Sequence, residues 1–205
     1  MVGWANPFGS MSASSVARRI AVTVLLTTVA VGSVILLPVS FSASAQLARP
    51  SEAELKAAFV YNFIKFTEWP AEEMANKDEP FVIGVLGKDP FGTALDKVIE
   101  GESFHQKPIL VRRFSRMGES AGDSQVLFIS ASEESNLTEI LKLIEGKAIL
   151  TVSEIENFAQ RGGVIKLAKE SNKLVFEINI DAAKHAGLAM NAQLLRLARI
   201  VKRQS

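Results

Sequence analysis

A short stretch that contains glycine and serine is the first candidate for chemistry in this sequence. Residues 118–122 read Gly-Glu-Ser-Ala-Gly and match G-x-S-x-G, the motif that holds the nucleophile of many hydrolases. In those enzymes the serine lies on a sharp turn from a strand into a helix, with a histidine in reach. Here the following residues lead into a predicted strand. A hydrolase using Ser120 is therefore the least favoured of three functional hypotheses, and an ordinary loop explains the match equally well.

The two histidines, His105 and His185, are the next candidates because imidazole is a common metal ligand. They lie far apart in the chain, and neither has another histidine at the short spacing that metal sites usually use. The chain has no cysteine, which excludes a Cys-based zinc site and a disulfide framework. The glycine spacing of a dinucleotide fingerprint is also absent. The sequence therefore predicts no metal site and no cofactor.

A turn at Gly87, Lys88 and Asp89 follows the apolar run at residues 81–86. In open α/β sheets, ligands bind in a crevice outside the carboxyl ends of the strands. Asp89 is predicted to cap a helix with Pro90 at its first position, and a free helix N-terminus beside Lys88 could bind an anion. A periplasmic protein that binds a small ligand near Lys88 and Asp89 is therefore the second hypothesis. A capped helix with a surface lysine is the simpler explanation.

The elements that must position these candidates form an α/β pattern. Ser51 and Glu54 make a capping box for a helix over residues 52–68, which ends before Pro70. Strands that alternate with helices indicate a mostly parallel sheet covered on both faces. We predict one Rossmann-like domain over residues 46–205, with a C-terminal antiparallel hairpin. The predicted strands are 81–86, 109–114, 125–129, 148–152, 164–168 and 173–180, and the further helices are 89–100, 137–146, 153–162, 181–187 and one that begins after Asn191.

An apolar leader precedes this domain. Two arginines come before an uncharged run over residues 20–37, and a proline and an Ala-Ser-Ala site at 43–45 follow it. This order is typical of a secretory signal peptide. We predict a signal peptide over residues 1–45, cleaved after the Ala-Ser-Ala site, and a product located in the periplasm. An uncleaved membrane anchor is the alternative, and the start codon is either Met1 or Met11.

Composition narrows the classes of function. Hydrophobic residues make up 48% of the chain and charged residues 22%, which excludes a disordered or low-complexity protein. The formal net charge is +1, so there is no electrostatic case for a nucleic-acid partner. The remaining classes are a globular enzyme, a ligand-binding protein and a protein that acts by binding another protein.

Three stretches together resemble the YfiR family of bacterial periplasmic regulatory proteins. They are residues 55–70 (LKAAFVYNFIKFTEWP), residues 81–87 (FVIGVLG) and residues 176–198, which contain FEINI and LLRLA. The resemblance implies a Rossmann-like α/β fold without known catalytic activity. It also implies repression of a membrane-bound diguanylate cyclase through that partner's periplasmic domain, which lowers cyclic di-GMP and biofilm formation. Members can carry cysteine pairs, and because this chain has none, disulfide control is not expected. A non-enzymatic regulator is therefore the first hypothesis.

The last predicted strand indicates where such a partner would bind. Its side chains alternate, so Glu177 and Asn179 should lie on the face opposite Phe176. If the hairpin is the edge of the sheet, its outer side is accessible, and Asp181 is predicted to cap the adjoining helix. We therefore expect Glu177, Asn179 and Asp181 to contribute to partner binding, with Glu177 orienting the partner. The alternative is that Glu177 only keeps the edge of the sheet soluble. A second copy of the chain, forming a homodimer, is a further possible partner.

Overall fold

A computed structural model describes residues 50–76, 78–171 and 173–203. The predicted signal peptide lies outside these described residues, so its cleavage stays a prediction. The elements below belong to the unit that spans Leu47–Ser205.

The first helix, α1 (Glu52–Lys65), begins as the sequence predicts. The Ser51 side chain accepts from the Glu54 backbone N–H, and the Glu54 carboxylate accepts from the Ser51 backbone N–H at 2.7 Å, which completes the capping box. The helix ends three residues earlier than predicted because the chain enters a short strand, Thr67–Glu68. Pairing with a distant segment therefore decides where α1 ends.

The strands form two sheets. The small sheet pairs β1 (Thr67–Glu68) with β9 (Ala189–Met190) in antiparallel fashion. The main sheet has eight strands, in the spatial order β10-β8-β7-β6-β5-β2-β4-β3. Their bounds are β2 (Phe81–Leu86), β3 (Ser103–Phe104), β4 (Lys107–Phe114), β5 (Val126–Ile129), β6 (Leu150–Ser153), β7 (Ile165–Glu170), β8 (Lys173–Asn179) and β10 (Arg199–Val201).

The topology of the main sheet confirms the predicted fold class. Five neighbouring strands, β4, β2, β5, β6 and β7, run parallel. The chain then reverses in the β7–β8 hairpin, which is antiparallel as predicted. The last strand, β10, runs parallel to β8 and lies outside it. The hairpin is therefore not the edge of the sheet, and the prediction that its outer side is open is wrong.

Helices pack on both faces of the main sheet. On one face, α1 places Phe59 and Phe63 against Phe176, with the Phe63 and Phe176 ring centroids 5.2 Å apart. The other face is covered by a second apolar cluster that includes Leu137 and Phe158. The remaining helices are α2 (Ala71–Ala75), α3 (Ala94–Ile99), α4 (Leu137–Leu143), α5 (Ile180–His185) and α6 (Ala192–Leu197).

Two further predictions about local structure are wrong. The segment after β6 forms turns instead of a helix, because Ser153 Oγ donates to the Ile129 carbonyl at 2.6 Å and Glu156 pairs with Lys166. The final helix stops at Leu197, and the chain continues as β10. Backbone pairing with β8 outweighs the helical spacing of the apolar residues there.

Opposite charges hold α1 against the sheet. Lys56 is largely buried and pairs with Glu52 at 2.8 Å and with Glu154 at 2.7 Å. Lys169, on β7, also pairs with Glu52 at 2.7 Å. Hydrogen bonds from Lys169 and Lys56 lower the pKa of Glu52 to about 2. The start of α1 is therefore tied both to the hairpin and to the segment after β6.

Candidate functional site

The predicted ligand crevice lies at the carboxyl end of β2, where the order of the strands reverses. Gly87 turns the chain with φ of +85°, and the Lys88 backbone N–H donates to Ser132 Oγ at 2.9 Å. A Cβ on Gly87 would lie 2.4 Å from Ser132 Oγ and 2.9 Å from Glu133 Cγ. Ser132 and Glu133 belong to a 3₁₀ helix over Ala131–Asn136. Side chains of this helix therefore fill the space beside the turn that the crevice would need.

Asp89 is held by a neighbouring arginine. Its Oδ2 accepts from Arg113 Nε at 2.6 Å, and its Oδ1 accepts from the Phe91 backbone N–H at 2.7 Å. Arg113 also pairs with Asp96 at 2.5 Å and lowers the pKa of that carboxyl. The predicted helix cap at Asp89 is wrong, since α3 begins five residues later at Ala94 and Asp89 closes a local turn instead.

The two residues of the predicted ligand site differ in whether they are available to a ligand. Lys88 is exposed and free of any carboxylate among the residues that the structure describes, whereas Asp89 is already engaged. A ligand at Lys88 and Asp89 stays a prediction, and it would have to displace either Ser132 or Arg113.

A polar cleft of about 870 Å³ lies at the opposite, amino-terminal end of the parallel strands. Charges of both signs line it, including Glu72, Glu79, Arg112 and Lys147. Lys147 Nζ donates a hydrogen bond to the Gly122 carbonyl at 3.1 Å. One of the basic side chains of the cleft therefore already has a partner within the protein. Four carboxylates line the cleft against two basic side chains, so it is predominantly acidic; the carboxylates are Glu72, Glu73, Glu79 and Asp123.

The residues predicted to bind a partner are not together on an open surface. Glu177 is only 8% exposed, and it accepts from Gln160 Nε2 at 3.1 Å and from Arg199 Nη1 at 3.4 Å. Because β10 covers β8, the expectation of an accessible Glu177 is wrong. Reversing this charge would disturb folding as well as any interface, so Glu177 cannot test docking by itself. A role for it in binding stays a prediction.

Asn179 is buried, with 1% of its surface exposed, and it joins two segments. Its Nδ2 donates to the Ala159 carbonyl at 2.7 Å, and its Oδ1 accepts from the Ala182 backbone N–H at 2.9 Å. Asn179 is therefore the N-cap of α5, and the prediction that Asp181 fills this position is wrong. Asp181 is exposed, and its carbonyl contacts His185 Nδ1 at 2.7 Å.

We expect Asn179→Ala to lower the free energy of unfolding by about 2–3 kcal/mol. The change removes a helix cap and the 2.7 Å bond to the buried Ala159 carbonyl, which keeps only the longer bond from the Gly162 N–H at 3.3 Å. Asn191→Ala is the matched control because Asn191 caps α6 at an exposed position, and its loss should cost only about 1 kcal/mol. Urea unfolding of both variants measures the difference. Equal losses would show that the bond to Ala159 does not stabilise the fold.

Sequence reasoning missed the surface at the end of the chain. Leu197 is 77% exposed and Ile200 is 46% exposed, on and beside the edge strand β10. Arg196 and Lys202 flank them and are also exposed. The helical spacing of the residues after Asn191 predicts a helix in which Leu194, Leu197, Ala198 and Val201 share one stripe, which gives no sign of an exposed Leu197. The β-branched pair Ile200 and Val201 was the available signal for a strand. We call the Leu197 and Ile200 side chains the C-terminal patch.

A family model described as YfiR/HmsC-like matches residues 53–199. The chain belongs to the YfiR/HmsC-like family. The match begins in α1 and ends at the first residue of β10, so it includes both members of the β1–β9 pair and nearly the whole main sheet. A comparison with curated proteins finds no match.

The G-x-S-x-G match lies outside any strand-to-helix turn in this YfiR/HmsC-like chain. Residues 119–123 form a 3₁₀ helix between β4 and β5, and the chain then enters β5. A nucleophile elbow needs the serine between a strand and a following helix, so the local backbone does not provide one. Membership of the family agrees with the regulator hypothesis, and the absence of catalysis stays a prediction.

The described residues of this YfiR/HmsC-like domain offer neither a cluster of metal ligands nor a membrane-spanning helix. Within residues 50–76, 78–171 and 173–203, no group of three or more His, Asp or Glu side chains is placed to hold a metal ion. The same residues contain no helix with the length and apolar character needed to cross a bilayer.

Proposed function

We propose that this protein is a periplasmic regulator that binds the outer domain of a membrane-bound diguanylate cyclase and represses it. The observation that carries the proposal is the YfiR/HmsC-like match over residues 53–199. The proposed result of binding is a lower level of cyclic di-GMP and less biofilm. The proposed location follows from the leader over residues 1–45, which is typical of exported proteins.

The C-terminal patch supports a function in protein binding. Large apolar side chains that stay exposed beside an open sheet edge are typical of interaction surfaces. Leu197 is the most exposed large apolar side chain among the residues described, and Ile200 lies on the edge strand itself. The flanking cations Arg196 and Lys202 suit a partner surface with negative charge. We therefore place the contact with the cyclase at this patch.

Deleting the gene for this protein is the first test. We expect cyclic di-GMP and biofilm to rise, because the cyclase would no longer be repressed. Expression of the full chain should restore the low level, whereas a chain without residues 1–45 should not, since it would remain in the cytoplasm.

Two outcomes would count against the proposal. Unchanged cyclic di-GMP after deletion would argue against regulation of a cyclase. Full restoration by the leaderless chain would argue against action in the periplasm, and it would leave the family membership intact.

A further inference from the structure

The outer edge of β4 extends well beyond the strand that should cover it. The two residues of β3 pair only with Lys107 and Pro108. One more bond, from the Ile109 N–H to the Glu102 carbonyl at 3.3 Å, continues the contact. The rest of β4, up to Phe114, has β2 on one side and no strand on the other among the described residues.

The direction of the backbone groups along β4 follows from two hydrogen bonds. Alternate residues of a strand direct their N–H and C=O groups to opposite sides. The Phe114 carbonyl accepts from the Gly87 N–H on the β2 side, and the Ile109 N–H points to the outer side. Val111 and Arg113 share the orientation of Ile109, so their N–H and C=O groups point outward. No backbone bond within the described part of the chain reaches them.

A groove accompanies this open edge. It has a volume of about 830 Å³ and lies between α3 and β4, where Ile99 and Val111 contribute apolar surface. Leu110 is 44% exposed, although it lies in the middle of a strand. An added strand would therefore gain apolar contacts as well as backbone hydrogen bonds.

The charges beside the edge define what could bind there. Arg113 is already neutralised by Asp89 and Asp96. Arg112 faces the other side of the sheet together with Leu110, is exposed, and forms no ion pair among the residues that the structure describes. Arg112 also lines the polar cleft, whose described carboxylates form no ion pair with it, so its guanidinium stays available to an acidic side chain beside the unpaired backbone of Val111 and Arg113.

We propose that the outer edge of β4 binds an extended segment of a partner protein in which apolar and acidic side chains alternate. The backbone of that segment would pair with Val111 and Arg113, and an acidic side chain would meet Arg112. A second copy of this chain fits less well, because a twofold pairing of two β4 edges would bring the two Arg112 side chains together. The inference does not depend on the partner being a cyclase.

The test uses the protein purified from cells that express the full chain, with two seven-residue peptides as probes. One peptide alternates valine with glutamate and the other alternates valine with lysine. We expect the glutamate peptide to bind and to slow hydrogen exchange at the Val111 and Arg113 amides. Val111→Pro, which removes an outward N–H, should abolish binding. Arg112→Glu should weaken it at least about tenfold and favour the lysine peptide.

Arg116→Glu is the matched control because Arg116 is an exposed cation outside the strand, and its binding should equal that of the unaltered protein. Three outcomes would overturn the proposal. One is no saturable binding of the glutamate peptide up to about 1 mM. Another is binding that neither Arg112→Glu nor Val111→Pro affects. The third is a dimer in sedimentation that Val111→Pro converts to a monomer, which would make a second copy the occupant.

Discussion

The double variant Leu197→Glu with Ile200→Glu is expected to fold normally and to raise cyclic di-GMP to the level of cells that lack the protein. Both side chains are largely exposed, so their replacement removes few contacts within the domain. At an interface, the same change buries two carboxylates without partners. Losing one central apolar contact typically costs about 2 kcal/mol of binding free energy, which corresponds to about 30-fold in affinity. The double change should exceed this value.

Leu143→Glu is the matched control for the C-terminal patch. Leu143 is 57% exposed and lies on α4, outside the C-terminal patch. If the proposed function holds, its variant should keep cyclic di-GMP as low as the unaltered protein does. Circular dichroism and urea unfolding would establish that all variants are folded. A folded double variant that still repressed the cyclase would remove the C-terminal patch from the interface.

Gly163→Ala is expected to destabilise the domain by about 3 kcal/mol or more. A Cβ at this position would lie 2.1 Å from Cε1 of Phe158, whose ring is completely buried. The Gly163 N–H also donates to the Phe158 carbonyl at 3.0 Å, so the two residues cannot separate easily. Overpacking in a core typically lowers the free energy of unfolding by about 1–3 kcal/mol, and occasionally by more. We expect a value at or above the upper end of this range because a buried ring must move.

Gly118→Ala is the control for Gly163→Ala. Gly118 has φ of −163°, which any residue adopts, and nothing lies within 4 Å of the added Cβ. Its free energy of unfolding should stay within about 0.5 kcal/mol of the unaltered protein, as at other open sites. Thermal and urea unfolding compare the two variants. A Gly163→Ala protein as stable as the control would mean that the Phe158 ring moves aside at little cost.

The sequence was sufficient for the elements that depend on local signals. The apolar run of β2 matches its predicted bounds, and the capping box of α1 forms as expected. The β7–β8 hairpin also follows from alternation and from a polar turn between the two strands. In each case the residues that fix the element are close together in the chain.

The errors have a common physical cause, which is that distant partners use the same residues differently. Ser153 binds the Ile129 carbonyl instead of starting a helix. Ile200 pairs beside Ile178, which turns the end of a predicted helix into the edge strand. The expectation of an accessible Glu177 is wrong for the same reason, since β10 covers the strand that carries it. The spacing of the residues gives no sign of these pairings, and only the β-branched Ile200 and Val201 favour the strand that forms.

The small β1–β9 sheet has a consequence for how fast and in which order the domain folds. It joins Thr67 to Met190, and the Asn191 N–H donates to the Phe66 carbonyl at 2.9 Å, so the two ends of the domain must meet. Contacts between residues so far apart in sequence raise the contact order, and a high contact order slows folding. A chain that emerges from its amino terminus cannot complete this sheet until nearly all of it is available. The end of α1 therefore acquires its final neighbours last, and a truncation before Ala189 would leave that end of the helix without them.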